Sequence, residues 1–207
     1  MKSSALIAVV LSGVAIAGYV SYRALKDDQA VEPVPVAQTQ AAPEESIAPA
    51  ETLPEFSLAT LTGEPRSILD WPDRALVINF WATWCAPCLR EIPLLKAFQA
   101  ERGDEGIQVV GIAVDRLEPV KSFAADMDFN YPLMIGEADA MQAAASFGID
   151  FFALPFTVFT DPERNVLGVH TGEIKAEDLE NLASALAGLR DGSLDLEEAR
   201  ARVAGRI

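Results

Sequence analysis

The sequence predicts an α/β protein, with a layered central sheet of mixed direction flanked by helices. Three observations carry that reading. Residues 75–81 (ALVINFW) and 107–114 (IQVVGIAV) are near-continuous apolar runs, the mark of strands buried on both faces. Stretches with apolar residues at helical spacing alternate with them. The pattern then closes in two short strands around the turn Asp161-Pro162-Glu163-Arg164-Asn165.

The chain has 207 residues, one domain's worth plus extras. Residues 1–28 form the first segment. Residues 5–22 carry no charge over 18 positions, with Lys2 before them and Arg23 and Lys26 after. As a helix they span roughly 27 Å, enough for a thin bilayer. Two readings compete. The favoured one is an uncleaved membrane anchor, with Tyr19 and Tyr22 as interfacial aromatics. The other is a cleaved signal peptide ending at Ala15-Ile16-Ala17 before Gly18. No cysteine lies there, which excludes lipoprotein attachment.

Residues 29–52 read as an acidic, Pro/Ala-rich linker without a basic or aromatic residue. Such a stretch buries too little surface to offset its ordering entropy. As a tether it reaches roughly 25–30 Å. Residues 53–189 are the expected folded body. Residues 56–61 and 66–69, around Thr62-Gly63-Glu64-Pro65, read as a hairpin. The run 75–81 is a buried strand, and 91–102 is a helix with Ile92, Leu95 and Phe98 on one face. The run 107–114 is a second buried strand, closed by Asp115. Helices are expected over 120–127 and 139–147, strands over 156–160 and 166–171, and a helix over 176–189. Residues 190–207 form a C-terminal tail whose Asp195 and Glu198 resemble a capping box for a last helix.

Composition removes several function classes. Sixteen Lys+Arg against 31 Asp+Glu leave a net charge of −15, which repels phosphate backbones and argues against nucleic acid as a partner. Two cysteines and one histidine exclude a disulfide-rich scaffold, a zinc finger and a His-clustered metal site.

Both cysteines fall in Trp84-Cys85-Ala86-Pro87-Cys88, between a buried strand and a helix. That context separates a redox C-x-x-C from a metal knuckle, and the two further soft ligands a zinc site needs do not exist. Cys85 would sit at the helix N-terminus, where unpaired N–H groups and the dipole favour a thiolate. The thiolate attacks in disulfide exchange. Cys88, one turn on, is placed to close an intramolecular disulfide. Pro87 stiffens the loop where no N–H is needed. The expected redox group is therefore the Cys85–Cys88 pair itself, with no other cofactor and no metal.

The stretch Asn79-Phe80-Trp81-Ala82-Thr83-Trp84-Cys85-Ala86-Pro87-Cys88-Leu89-Arg90-Glu91-Ile92-Pro93 resembles the active-site segment of thioredoxin-fold proteins, above all the TlpA/ResA-like membrane-anchored thiol-disulfide oxidoreductases. The resemblance covers residues 53–189, including an inserted β-α unit over 107–127. It implies a thioredoxin fold with an N-terminal hairpin, and protein thiols and disulfides as substrates. Net reduction of partner disulfides on the periplasmic side of a bacterial inner membrane is the favoured reading, and the resemblance implies a role in cytochrome c maturation or copper-oxidase assembly; the direction of exchange depends on the reduction potential and on the partner that recharges the pair. A membrane electron donor and a monomeric state go with it. Other readings are a general oxidant or isomerase, a peroxiredoxin-like thiol peroxidase, and a copper carrier using C-x-x-C.

Further positions match the family one by one. Pro155 stands where the family places a cis-proline beside the cysteines, so the Leu154 backbone would pair with an extended substrate segment. The plain alternative is a trans proline opening an edge strand. Pro93 matches a helix-kinking proline, a structural role. Other thioredoxins carry a buried Asp where this chain has Asn79, which cannot ionise. TlpA/ResA-like proteins carry an acid at Glu91, three residues past Cys88, implying proton exchange with Cys88. The alternative is a solvated surface Glu. Trp84 is either an aromatic lip for partners, alongside Ala86 and Pro87, or a packing residue. Asp115 either orients substrate or caps its strand, and His170 reads as structural.

Overall fold

A computed structural model describes residues 50–148 and 153–206. The expected anchor and all but the last three residues of the linker lie outside them. Among the described residues no helix is long and apolar enough to cross a membrane.

β1 (Ser57–Thr60) and β2 (Pro65–Ser67) form the expected hairpin, with Leu58 opposite Arg66. Gly63 turns it at φ 83°, a conformation that glycine adopts without a Cβ penalty. The chain continues through β3 (Ala75–Trp81), α1 (Ala86–Arg102), a short 3-10 turn (Gly103–Glu105), β4 (Ile107–Val114) and α2 (Leu117–Met127). It ends with β5 (Leu133–Gly136), α3 (Ala138–Ala145), β6 (Phe156–Thr160), β7 (Val166–Thr171), α4 (Ala176–Asp191) and α5 (Leu196–Val203). The inner strands match their sequence-based bounds. α1 begins five residues before the periodic stretch and α2 three before, because a first helical turn does not need an apolar face. β5 is not visible as a strand in the sequence: four residues after a proline show no usable period.

Among the described residues seven strands form one mixed sheet in the order β2-β1-β5-β4-β3-β6-β7. β3 runs parallel to β4 and antiparallel to β6, and β5 joins the hairpin to β4. This is the mixed sheet with flanking helices expected of a thioredoxin fold. Before β1, Glu51 and Leu53 exchange backbone hydrogen bonds with Val166 and Arg164, so the last linker residues already pair with the body.

Alternation along β3 divides the core. Val77 and Trp81 face one cluster, which includes Ile92, Leu95 and Phe98 of α1 and Leu182 of α4. Leu76, Ile78 and Phe80 face another, which includes Ala140, Ala144 and Phe147. All seven β3 residues are buried, so its central position rests on contact with both layers. Asn79 shares the side of Val77 and Trp81 and therefore faces α1.

α5 closes the chain against this core. Asp195 and Glu198 make a reciprocal capping box, each side chain accepting the other's backbone N–H at 2.9 Å. Ala199 and Val203 are buried.

Gly111 on β4 leaves no room for a side chain. A Cβ there would lie 2.7 Å from Leu133 Cδ2, 3.2 Å from Trp81 Nε1 and 3.2 Å from Tyr131 Cε2. Gly111→Ala should therefore lower stability by about 1–3 kcal/mol through overpacking, read from urea unfolding midpoints. An unchanged midpoint would show that the neighbours yield freely.

Candidate active site

The site forms where β3 ends. The chain leaves Trp81, turns through Ala82-Thr83-Trp84, and enters α1 at Cys85. Asp115, just past the end of β4, secures this turn: its Oδ2 accepts the Thr83 N–H at 3.1 Å and the Thr83 hydroxyl, while Oδ1 accepts the Arg116 N–H at 2.8 Å. Its hydrogen bonds thus tie the ends of two parallel strands together, in the capping rather than the substrate-orienting sense.

Cys85 is the N-cap of α1, with extended backbone (φ −91°, ψ 96°), and its Sγ accepts the Cys88 N–H at 3.4 Å. Pro87 occupies the first turn, where a missing N–H costs nothing. No acidic residue lies in that turn, so the positive end of the helix dipole acts on the sulfur unopposed locally. Cys85 and Cys88 are joined as a disulfide, with Cα atoms 5.3 Å apart. Cys88 is wholly buried, and Cys85 keeps a small exposed area.

Trp84 is 70% exposed, so its reading as a packing residue fails. With Met141, 45% exposed, it lines a shallow groove that also carries Arg116 and Glu137. Ala86 is exposed and Pro87 half-buried beside it. Across β3, Phe156 pairs with Phe80, which brings Pro155 alongside the end of β3. The Leu154–Pro155 bond is cis, which removes the trans alternative. Leu154 is half-buried. Pro93 is exposed inside α1. His170 sits on β7 and pairs with Asp178 at 3.3 Å, on α4.

Glu91 is 1% exposed, which excludes the solvated-surface reading. Its Oε1 accepts from Asn79 Nδ2 at 2.8 Å and its Oε2 from the Ile174 backbone N–H at 2.8 Å. Burial pushes its acid up to about 7, against the lowering effect of those two hydrogen bonds; nearby Glu173 raises it further and Lys175 lowers it. Asn79 also donates to Thr157 Oγ1 at 3.0 Å, directly opposite it on β6. Glu173 in turn accepts from Arg90 Nε at 2.9 Å and from Lys175 Nζ at 2.7 Å. Burial, with the Glu91 charge, pushes the Tyr131 phenol well above its ordinary range.

Sequence reasoning singled out Asn79 as unable to ionise, but not that its amide touches Glu91. It missed Thr157, Ile174, Glu173, Arg90 and Tyr131. Thr157 was within reach, since a polar residue inside an apolar strand is a signal. Ile174 acts through its backbone and leaves no side-chain trace. Among the described residues no cluster of three or more His, Cys, Asp or Glu side chains is placed to hold a metal ion.

A redox-active Cys85–Cys88 disulfide at a helix N-terminus, with a buried acid one turn on in the same helix and a mixed sheet beneath, defines a thiol-disulfide oxidoreductase of the thioredoxin fold. The chain belongs to the Redoxin family, whose model matches residues 48–186. It is 31% identical over 147 residues to the thioredoxin-like protein YneN of Bacillus subtilis, covering 69% of this chain and 83% of that one. It is 30% identical to the thiol-disulfide oxidoreductase ResA of Geobacillus kaustophilus, over 65% of this chain and 76% of that one. A crystal structure of a thioredoxin-family thiol:disulfide interchange protein from Chlorobium tepidum superposes with a TM-score of 0.55 at 32% identity, covering 61% of this chain and 88% of that one.

The raised acid has a consequence for stability. Glu91 holds a proton in the folded state between pH 4.5, its ordinary value, and about 7, where the unfolded chain has lost it. Stability from this group is therefore present at low pH and is lost as pH rises through that window. The loss should be at most about 3 kcal/mol, at 1.36 kcal/mol per unit. Glu91→Gln should flatten the dependence of the unfolding midpoint on pH between 4.5 and 7. An equal slope in the variant would assign the effect elsewhere.

Proposed function

We propose that this protein reduces disulfides of partner proteins on the periplasmic side of a bacterial inner membrane, with Cys85 attacking and Cys88 resolving. The asymmetry of the pair carries the reading: Cys85 caps the helix and reaches the surface, while Cys88 is sealed beneath it. In the reduced protein the Cys85 thiolate attacks one sulfur of a partner disulfide. A Cys85–partner bond forms, the partner bond breaks, and the released partner thiolate takes a proton. The Cys88 thiol then passes its proton to the Glu91 carboxylate, and its thiolate attacks the Cys85 sulfur. The partner leaves as a dithiol, and the Cys85–Cys88 disulfide remains. Two electrons have moved from the pair to the partner, and an electron donor in the membrane must return them.

The groove beside Trp84 supports docking of a protein partner, with Ala86 and Pro87 beside the attacking sulfur. The Leu154–Pro155 segment, at the edge of β3's end, supports pairing with an extended partner strand. The uncharged run 5–22 and the linker 29–52 support a tethered domain outside the cytoplasm. In that compartment cytochrome c maturation or copper-oxidase assembly are the reductive tasks proposed for it.

Two experiments test this reading. Reduced Cys88→Ser protein should accumulate mixed disulfides with oxidised partner proteins in cells, separable by diagonal electrophoresis. Absence of any trapped partner would overturn the exchange role. Glu91→Gln should slow resolution by Cys88 by roughly 100-fold or more and remove the pH dependence near 7. An unchanged pH profile would exclude Glu91 as proton exchanger.

A further inference from the structure

We propose that the Asn79 side-chain amide turns end for end when Glu91 takes up a proton, so that one residue serves both protonation states of the buried acid. The inference rests on Glu91 as the proton exchanger and adds a second, positioning residue. Three observations lead to it.

First, Glu91 is held as an acceptor on both oxygens. Asn79 Nδ2 donates to Oε1 and the Ile174 N–H donates to Oε2. A protonated carboxyl needs an acceptor for its new O–H. Ile174 contributes a backbone N–H, which can only donate, so the proton belongs on Oε1. There it meets the Asn79 amide, which at present points a donor at it.

Second, among the described residues the buried Asn79 Oδ1 has no hydrogen-bond partner, whereas both hydrogens of Nδ2 are engaged, by Glu91 and by Thr157. An unpaired buried acceptor calls for an explanation. Rotating the amide brings Oδ1 to the place Nδ2 now holds. Its two lone pairs then accept the Glu91 O–H and the Thr157 hydroxyl. Each orientation leaves one end of the amide unpaired, so the two are closely matched and the proton on Glu91 decides between them.

Third, the partner on the other side is ambivalent too. Thr157 has a hydroxyl, which donates or accepts with equal ease and reverses with the amide. An aspartate in place of Asn79 lacks this capacity: when ionised it only accepts, and it would set a second charge against Glu91.

Other groups bear on when Glu91 takes up its proton. Glu173 and Lys175 approach from the segment between β7 and α4, with Arg90 paired to Glu173. Tyr131 approaches from the segment before β5. Cys88, once reduced, lies one turn back on α1. The amide orientation follows the sum of these effects through Glu91 alone.

The test is a pH titration of the oxidised full chain by nuclear magnetic resonance, following Asn79 Nδ2 and the Glu91 carboxyl carbon together. No thiol exchange occurs in this form, so the proposal can fail while exchange activity stands. The two signals should share one midpoint, and the coupling across the Asn79–Glu91 hydrogen bond should be lost below it. In Glu91→Gln the Asn79 signals should no longer move with pH. The proposal is overturned if the coupling persists through the Glu91 titration, or if Glu91 does not titrate between pH 4.5 and 9. Equal movement of Asn79 in the variant overturns it as well. Should the variant not fold, the coupling in the unaltered protein decides alone.

Discussion

A single buried carboxylate joins three parts of this molecule. Glu91 lies on α1 one turn past Cys88, accepts from Asn79 on β3, and accepts from the backbone of Ile174 before α4. Burying a charge without partners is costly, and these two donors offset part of that cost. They do not offset all of it, since burial still drives the acid up to about 7. The group is thereby left near the point where gain and loss of a proton balance at neutral pH, which suits proton exchange with a thiol. A surface carboxylate on the same helix would stay ionised and contribute little.

At the helix end the electrostatic effect runs the other way. The dipole of α1 favours a thiolate at Cys85, and no acid in the first turn opposes it. Glu91 lies deeper, buried three residues past Cys88 on α1. The two sulfurs thus differ in place, one at the helix cap and one wholly buried, although only two residues separate them. Asp115 holds the turn between β3 and α1 through Thr83, so the helix begins at a fixed place relative to the sheet. The ion pairs of Glu173 with Arg90 and Lys175 hold the segment that presents the Ile174 N–H. These pairs are exposed and each contributes little energy. Their contribution is positional.

Much of the fold is legible in the linear chain because its inner strands are buried on both sides. A run such as ALVINFW has no polar face and leaves few alternatives. Helix starts are less legible, since the first turn of α1 is shaped by Cys85 and Pro87 rather than by apolar spacing. β5 escapes because a strand of four residues carries no period; it forms because β4 and β1 offer it two open edges. The expected tail behaves the same way. Its capping box is visible in Asp195 and Glu198, but nothing local shows that Val203 is buried against β7, where a Cβ on Gly168 would come within 2.9 Å of it.

The site divides along the same line. The sequence by itself determined the chemistry: two cysteines at one spacing, on a strand-to-helix junction, with an acid one turn on. Those are short-range facts, and helix geometry converts them directly into neighbouring side chains. Only the tertiary structure decided that Glu91 is buried, that Asn79 and Thr157 stand on adjacent strands beneath it, and that a backbone N–H 83 residues away completes its shell. Burial and hydrogen bonding of this kind depend on groups distant along the chain. Their energies are set by how the layers pack, which local spacing does not record.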